Sequence, residues 1–127
     1  MSNTDRLPLA DAPATNQIRR KANNRLGAVY SALYGFWSAR HAAFTSGSGH
    51  ETAGVRRDAY SIIMFKHTAK NVVVNDFTSS PDELLDIVLN TRADGNTNFA
   101  VALRASQAVM VDHWSTERFV CSTWLIF

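Results

Sequence analysis

The chain has a single cysteine, Cys121, among 127 residues. That excludes an internal disulfide, and with it any zinc site built on paired thiolates. Cys121 sits in an apolar run, which reads as an inert buried thiol. The four histidines, His41, His50, His67 and His113, are far apart with no i, i+4 pair to grip a metal from one helix face. Cys121 and His113 have the residue types of a nucleophile and its base. Nothing in their spacing fixes a geometry, however, and an apolar strand disfavours the thiolate. No Gly-rich phosphate loop follows a strand, and there is no Gly-x-Ser-x-Gly elbow. The expectation is a protein that is not an enzyme. Long hydrophobic runs are missing too: no signal-peptide core opens the chain and no run spans a bilayer, so the expected setting is the cytoplasm, away from membranes. Charge of one sign is also scarce. Lys+Arg 13 against Asp+Glu 11, with an isoelectric point near 9.0, leaves no footprint for nucleic acid. Internal repeats of solenoid period are absent.

What is present is a hydrophobic fraction of 46%, enough for one domain with a core of its own. Residues 1–16, with Pro8 and Pro13, read as an irregular lead-in. Over 17–45, apolar residues at Ile18, Ala22, Leu26, Val29, Leu33 and Phe36 or Trp37 keep helical spacing and predict one long helix capped by Thr15 or Asn16. Arg19, Arg20, Lys21 and Arg25 then crowd its first turns, the unfavourable end for the helix dipole. The cluster is either a patch for nucleic acid or an acidic partner, or a solvated face, and the solvated face is preferred. Tyr30, Tyr34 and Trp37 read as core and rim packing.

After the flexible loop Ser46-Gly47-Ser48-Gly49-His50, the near-continuous apolar run 60–65 predicts a strand buried on both faces. Residues 66–70 make a turn, and the β-branched Val72, Val73 and Val74 predict an antiparallel neighbour at a sheet edge. Ser80-Pro81-Asp82-Glu83 is a helix start, with Ser80 as N-cap, Pro81 at the first helical position and Glu83 closing a capping box. Leu84, Ile87 and Val88 are its inward residues. Asp94-Gly95-Asn96-Thr97 then forms a turn that sets the Thr97 hydroxyl and the free amides of Asn98 and Phe99 at the mouth of a further helix. Phe99, Ala102, Leu103, Ser106 and Met110 mark that helix, with Arg104, Gln107 and Asp112 toward water. A last strand is predicted over 119–127.

The run 58–114 resembles a von Willebrand factor A domain of the kind found in large fungal proteins. The resemblance rests on the strands 60–65 and 71–77, the helix start at 79–85, and Gly95-Asn96-Thr97-Asn98-Phe99 leading into Ala102-Leu103, and it extends over about 20–114. It implies an α/β, Rossmann-like three-layer sandwich, with a mostly parallel sheet and one antiparallel edge strand, over 17–127. Relatives assemble a metal-ion-dependent adhesion site from an Asp-x-Ser-x-Ser segment, a threonine and a later aspartate, and hold Mg²⁺ or Mn²⁺ while binding a protein partner. Of these only the threonine is matched, by Thr97. Asp94 lies close to it in sequence but suits stabilising its own turn.

The resemblance therefore implies a domain truncated at both ends, lacking the central first strand and the C-terminal strands. The departure of 119–127 from the family pattern is read as altered splicing or frame, which the transcript tests. Mg²⁺ takes about six oxygens in near-octahedral geometry, so one neutral hydroxyl gives no tight site. The implied function is a protein–protein interaction module with an incomplete adhesion site, or else a fragment, non-functional or regulatory, that pairs with a full-length relative by strand addition. Each buried backbone group left unpaired by a missing strand costs roughly 1 to 3 kcal/mol. The expected chain is marginally stable and prone to self-associate through sheet edges.

Overall fold

The computed structural model describes residues 8–47, 58–91 and 98–114 and the backbone of a strand at 121–126. The architecture is mixed α/β, in the order α1 (Thr15–Lys21), α2 (Arg25–Gly47), β1 (Ala59–Phe65), β2 (Ala69–Asp76), α3 (Pro81–Leu89), α4 (Phe99–Trp114) and β3 (Cys121–Ile126). The three helices α1 to α3 belong to one compact unit, and the three strands with α4 to another.

In the helical unit the single long helix expected over 17–45 is two helices. Asn24 breaks it. Its side-chain carbonyl accepts the amides of Leu26 at 3.0 Å and Gly27 at 3.3 Å, a local bond that starts α2 afresh. Ala22, in extended backbone at φ −145°, ends α1 with its amide on the Ile18 carbonyl. Gly27 lets the turn close, because a Cβ there would collide with the Ala22 carbonyl oxygen and lie 2.9 Å from Pro8. This break corrects the charge reading as well. Arg19, Arg20 and Lys21 stand in the last turn of α1, the end at which a helix dipole favours cations. Neither Thr15 nor Asn16 caps α1. The cap is Ala14, at φ 63°, and the Thr15 hydroxyl turns back to the carbonyls of Leu9 and Ala12, each 2.6 Å away. Residues 9–15 of the lead-in are thereby tied together.

Because the helical phase restarts at residue 25, the buried face of α2 is Tyr30, Leu33 and Trp37, while Val29 is 40% exposed and Leu26 half-buried. Helix α3 packs on α2 and follows the expected start closely. Ser80 Oγ accepts the Glu83 amide at 3.3 Å, Glu83 Oε2 accepts the Ser80 amide at 2.7 Å, and Pro81 fills the first helical position. Leu84, Leu85 and Val88 are fully buried, with Ile87 half-buried. Two carboxylates on α3 hold its neighbours: Asp86 accepts from Gln17 Nε2 at 2.6 Å, and Asp82 accepts from the Tyr34 hydroxyl at 2.9 Å. The bond to Asp82 keeps the Tyr34 phenol above its ordinary pKa.

In the other unit the sheet order is β2-β1-β3. β1 is antiparallel to β2 and parallel to β3. β1 therefore has a hydrogen-bonded neighbour on each of its edges. The parallel pairing runs from Ala59 opposite Cys121 to Met64 opposite Ile126 without a break. All seven residues of β1 are buried, as its apolar run requires. β2 is the antiparallel edge strand, but its register slips twice, between Tyr60 and Ile62 and between Ile62 and Ile63 of its partner. At the first slip Asn75 adopts φ 50°, a conformation asparagine tolerates, and its amide donates to Ser61 Oγ at 3.0 Å instead of to the ladder. Helix α4 lies on all three strands. Its buried residues are Ala102, Ser106 and Val109. Phe99, Leu103 and Met110, expected on its inner face, are 58%, 61% and 39% exposed.

Two glycines in α2 make opposite predictions. Gly27→Ala should destabilise by about 1 to 3 kcal/mol through the clash with Ala22. Gly35→Ala, with open space around its Cβ, should stabilise by about 0.5 to 1 kcal/mol. Urea denaturation of the two variants checks both signs.

Tyr30 gives a pH dependence. Its hydroxyl is buried with no hydrogen-bond partner among the described residues, and burial pushes its pKa from 10.0 up to about 12. Between those values the unfolded chain has released the proton and the folded chain still holds it, so stability falls as pH rises from 10 to 12. Tyr30→Phe should flatten that alkaline limb and leave stability at pH 7 equal or higher. Denaturation midpoints at pH 7, 10 and 12 test it.

Candidate functional site

The mouth of α4 is fixed by one hydrogen bond. The Asn98 amide donates to the Lys66 carbonyl at 2.8 Å, immediately after the end of β1. Asn98 also caps the helix, its Oδ1 accepting the Val101 amide at 3.3 Å. Phe99 follows, its ring centroid 5.6 Å from that of Phe65 at the end of β1, tilted by 58°. The start of α4 is thus anchored at the C-terminal end of the central strand, the end at which open α/β sheets carry their binding loops.

Thr97 and Asp94, the sequence candidates, lie outside the described residues. The surroundings of the mouth correct the rest of that reading. The amide of Asn98 is engaged by Lys66, so the pair of free amides expected at Asn98 and Phe99 is not offered. Cap duty falls to Asn98, which the sequence reading passed over although asparagine is at least as good a cap as threonine.

The fit of a divalent cation follows from the donor set. The described residues at this end of β1 include Phe65, Lys66, His67, Thr68, Ala69, Lys70 opposite Met64, Asn98 and Phe99, none of them a carboxylate. Among the described residues no group of three or more His, Cys, Asp or Glu is gathered for a metal. The Asn98 side-chain oxygen is already committed to Val101, so these described residues by themselves supply no carboxylate for Mg²⁺ or Mn²⁺.

The other sequence candidates are dispersed. His41 is exposed on α2, His67 is exposed in the β1–β2 turn, and His113 is half-buried in the last turn of α4, while His50 lies outside the described residues. Cys121 opens β3. Arg19, Arg20, Lys21 and Arg25 are all exposed, with Arg19 Nη2 3.4 Å from the Pro8 carbonyl. No helix among the described residues is long and apolar enough to cross a membrane. Scanned against protein-family models, the chain matches none, and no curated protein and no solved structure matches it.

Removing the Asn98 cap should have a measurable cost. Asn98→Ala should lower stability by about 1 kcal/mol. Asn98→Asp should retain it, since a carboxylate oxygen accepts the same amide and suits the positive end of the dipole. Thermal midpoints of the two variants provide the comparison.

Proposed function

We propose that the chain is a protein–protein interaction module resembling a von Willebrand factor A domain, acting in the cytoplasm with no catalytic activity and no tightly held metal. The observation that carries this reading is the Asn98–Lys66 bond. It sets the residue after Thr97 at the C-terminal end of a central strand that is paired in parallel with β3. A parallel pair needs a crossover connection, and α4, lying on all three strands, is placed to serve as one. Both features suit the Rossmann-like three-layer sandwich with a mostly parallel sheet. Thr97 is the one residue assigned to the adhesion site, and a single neutral hydroxyl favours partner binding without metal. In this reading the arginines of α1 and α2 are a solvated face rather than a nucleic-acid surface.

A second reading has one observation in its favour. β3 is paired on one side only among the described residues, which suits a fragment that pairs with a full-length relative by adding a strand to its sheet.

A ligand that binds only the native state raises the melting midpoint. Millimolar Mg²⁺ or Mn²⁺ should leave the midpoint of the purified chain within about 1 °C of its metal-free value. An upward shift of several degrees would overturn the metal-free module and direct attention to Asp94 beside Thr97.

A further inference from the structure

We infer that two copies of the chain join through β3, pairing edge to edge as antiparallel strands across a two-fold axis. This rests on the reading of the chain as an interaction module and names its partner as a second copy.

The argument lies in the difference between the two edges of the sheet. β2 is blunted: its register with β1 slips twice, Asn75 leaves the extended conformation at φ 50°, and its sequence carries Lys70 and Asp76. Bulges and charges are the devices that keep an edge from pairing with another chain. β3 has neither. Its register with β1 is unbroken over six residues, which leaves a regular row of backbone donors and acceptors toward the other side. No other strand among the described residues takes that side. The sequence Cys-Ser-Thr-Trp-Leu-Ile contains no charge, no proline and no glycine.

That composition selects the occupant. In a two-fold contact residue i meets residue j and j meets i, so a strand carrying charge of one sign is set against its own copy, whereas an uncharged strand meets no such repulsion. An acidic or basic peptide finds no counter-charge along β3. The helix packed on this sheet leaves Phe99, Leu103 and Val111 each more than half exposed, apolar surface beyond what one copy covers.

Sedimentation of the whole chain over roughly 1 to 100 μM, a range that brackets a micromolar dissociation constant, should show a monomer passing into a dimer. Paired antiparallel strands bring opposed Cα atoms to about 4.5 to 5.5 Å, within disulfide reach. In a Cys121→Ser background, Ser122→Cys, Thr123→Cys and Leu125→Cys are each oxidised under mild conditions, with Asn71→Cys on β2 as the control. At least one β3 position should cross-link about tenfold faster than Asn71→Cys. Thr123→Lys should shift the chain to monomer with its far-UV circular dichroism unchanged. A monomer at every concentration that still melts cooperatively overturns the pairing and leaves the interaction-module reading standing. Cross-linking only through Asn71→Cys overturns the choice of edge. A chain with no cooperative melt removes both the pairing and the module.

Discussion

A buried strand must have hydrogen-bonding neighbours on both of its edges, because its backbone groups have no water to turn to. β1 imposes that condition on its unit. Its residues Ala59–Phe65 are buried at every position. Successive side chains point to opposite faces, so both faces of the strand are shielded. An antiparallel neighbour comes cheaply in sequence, through the three-residue turn Lys66–Thr68 that the Lys66 amide closes on the Thr68 carbonyl at 2.8 Å. The other neighbour comes from β3, more than fifty residues later in the chain and parallel. The turn and the crossover meet at Lys66, whose amide serves the hairpin and whose carbonyl anchors α4.

Where the structure departs from periodicity, a short polar side chain has taken over a backbone partner. Asn24 does so at the start of α2, Ser61 does so for the slipped amide of Asn75, and Asn98 does so at the start of α4. Each such bond competes with the regular ladder. The apolar spacing from Ile18 to Trp37 is nearly continuous through residues 22–24, so the break there was invisible to hydrophobic pattern alone. Asn23-Asn24 ahead of Gly27 was the signal available. The capping box at Ser80 was legible because two side chains and a proline all point to the same helix start, and the uninterrupted apolar run of β1 was legible because no polar residue but Ser61 interrupts it.

The inner face of α4 was legible only in part. Helical spacing marks Phe99, Ala102, Leu103, Ser106 and Met110, of which Ala102 and Ser106 are buried and the three larger residues are exposed. The face that meets the strands uses Ala102, Ser106 and Val109, small side chains that let the helix lie close. Ser106 is accommodated by donating its hydroxyl to the Ala102 carbonyl at 3.0 Å, so no polar atom of that side chain is stranded against the sheet. Close approach and large outward residues go together, and hydropathy does not record which of the two a given apolar residue serves. The candidate site was legible only as a place: a turn and a helix start near Thr97. The setting of that helix start depends on what the end of β1 brings to it, the Lys66 carbonyl on the Asn98 amide, and that juxtaposition is tertiary.

Two edges of one sheet with such different characters argue that they answer different demands. The slips in β2 leave Asn75 Oδ1 buried without a hydrogen-bond partner among the described residues. A buried oxygen without a partner costs free energy, so the irregularity at Asn75 comes with a stability penalty. It is what an edge needs if it is to refuse a neighbouring chain. β3, in regular register with β1 and uncharged in sequence, carries no such defence. A sheet protected on one side and unprotected on the other admits association in one direction only, and a two-fold contact made through the unprotected side closes on itself without growing into a fibre.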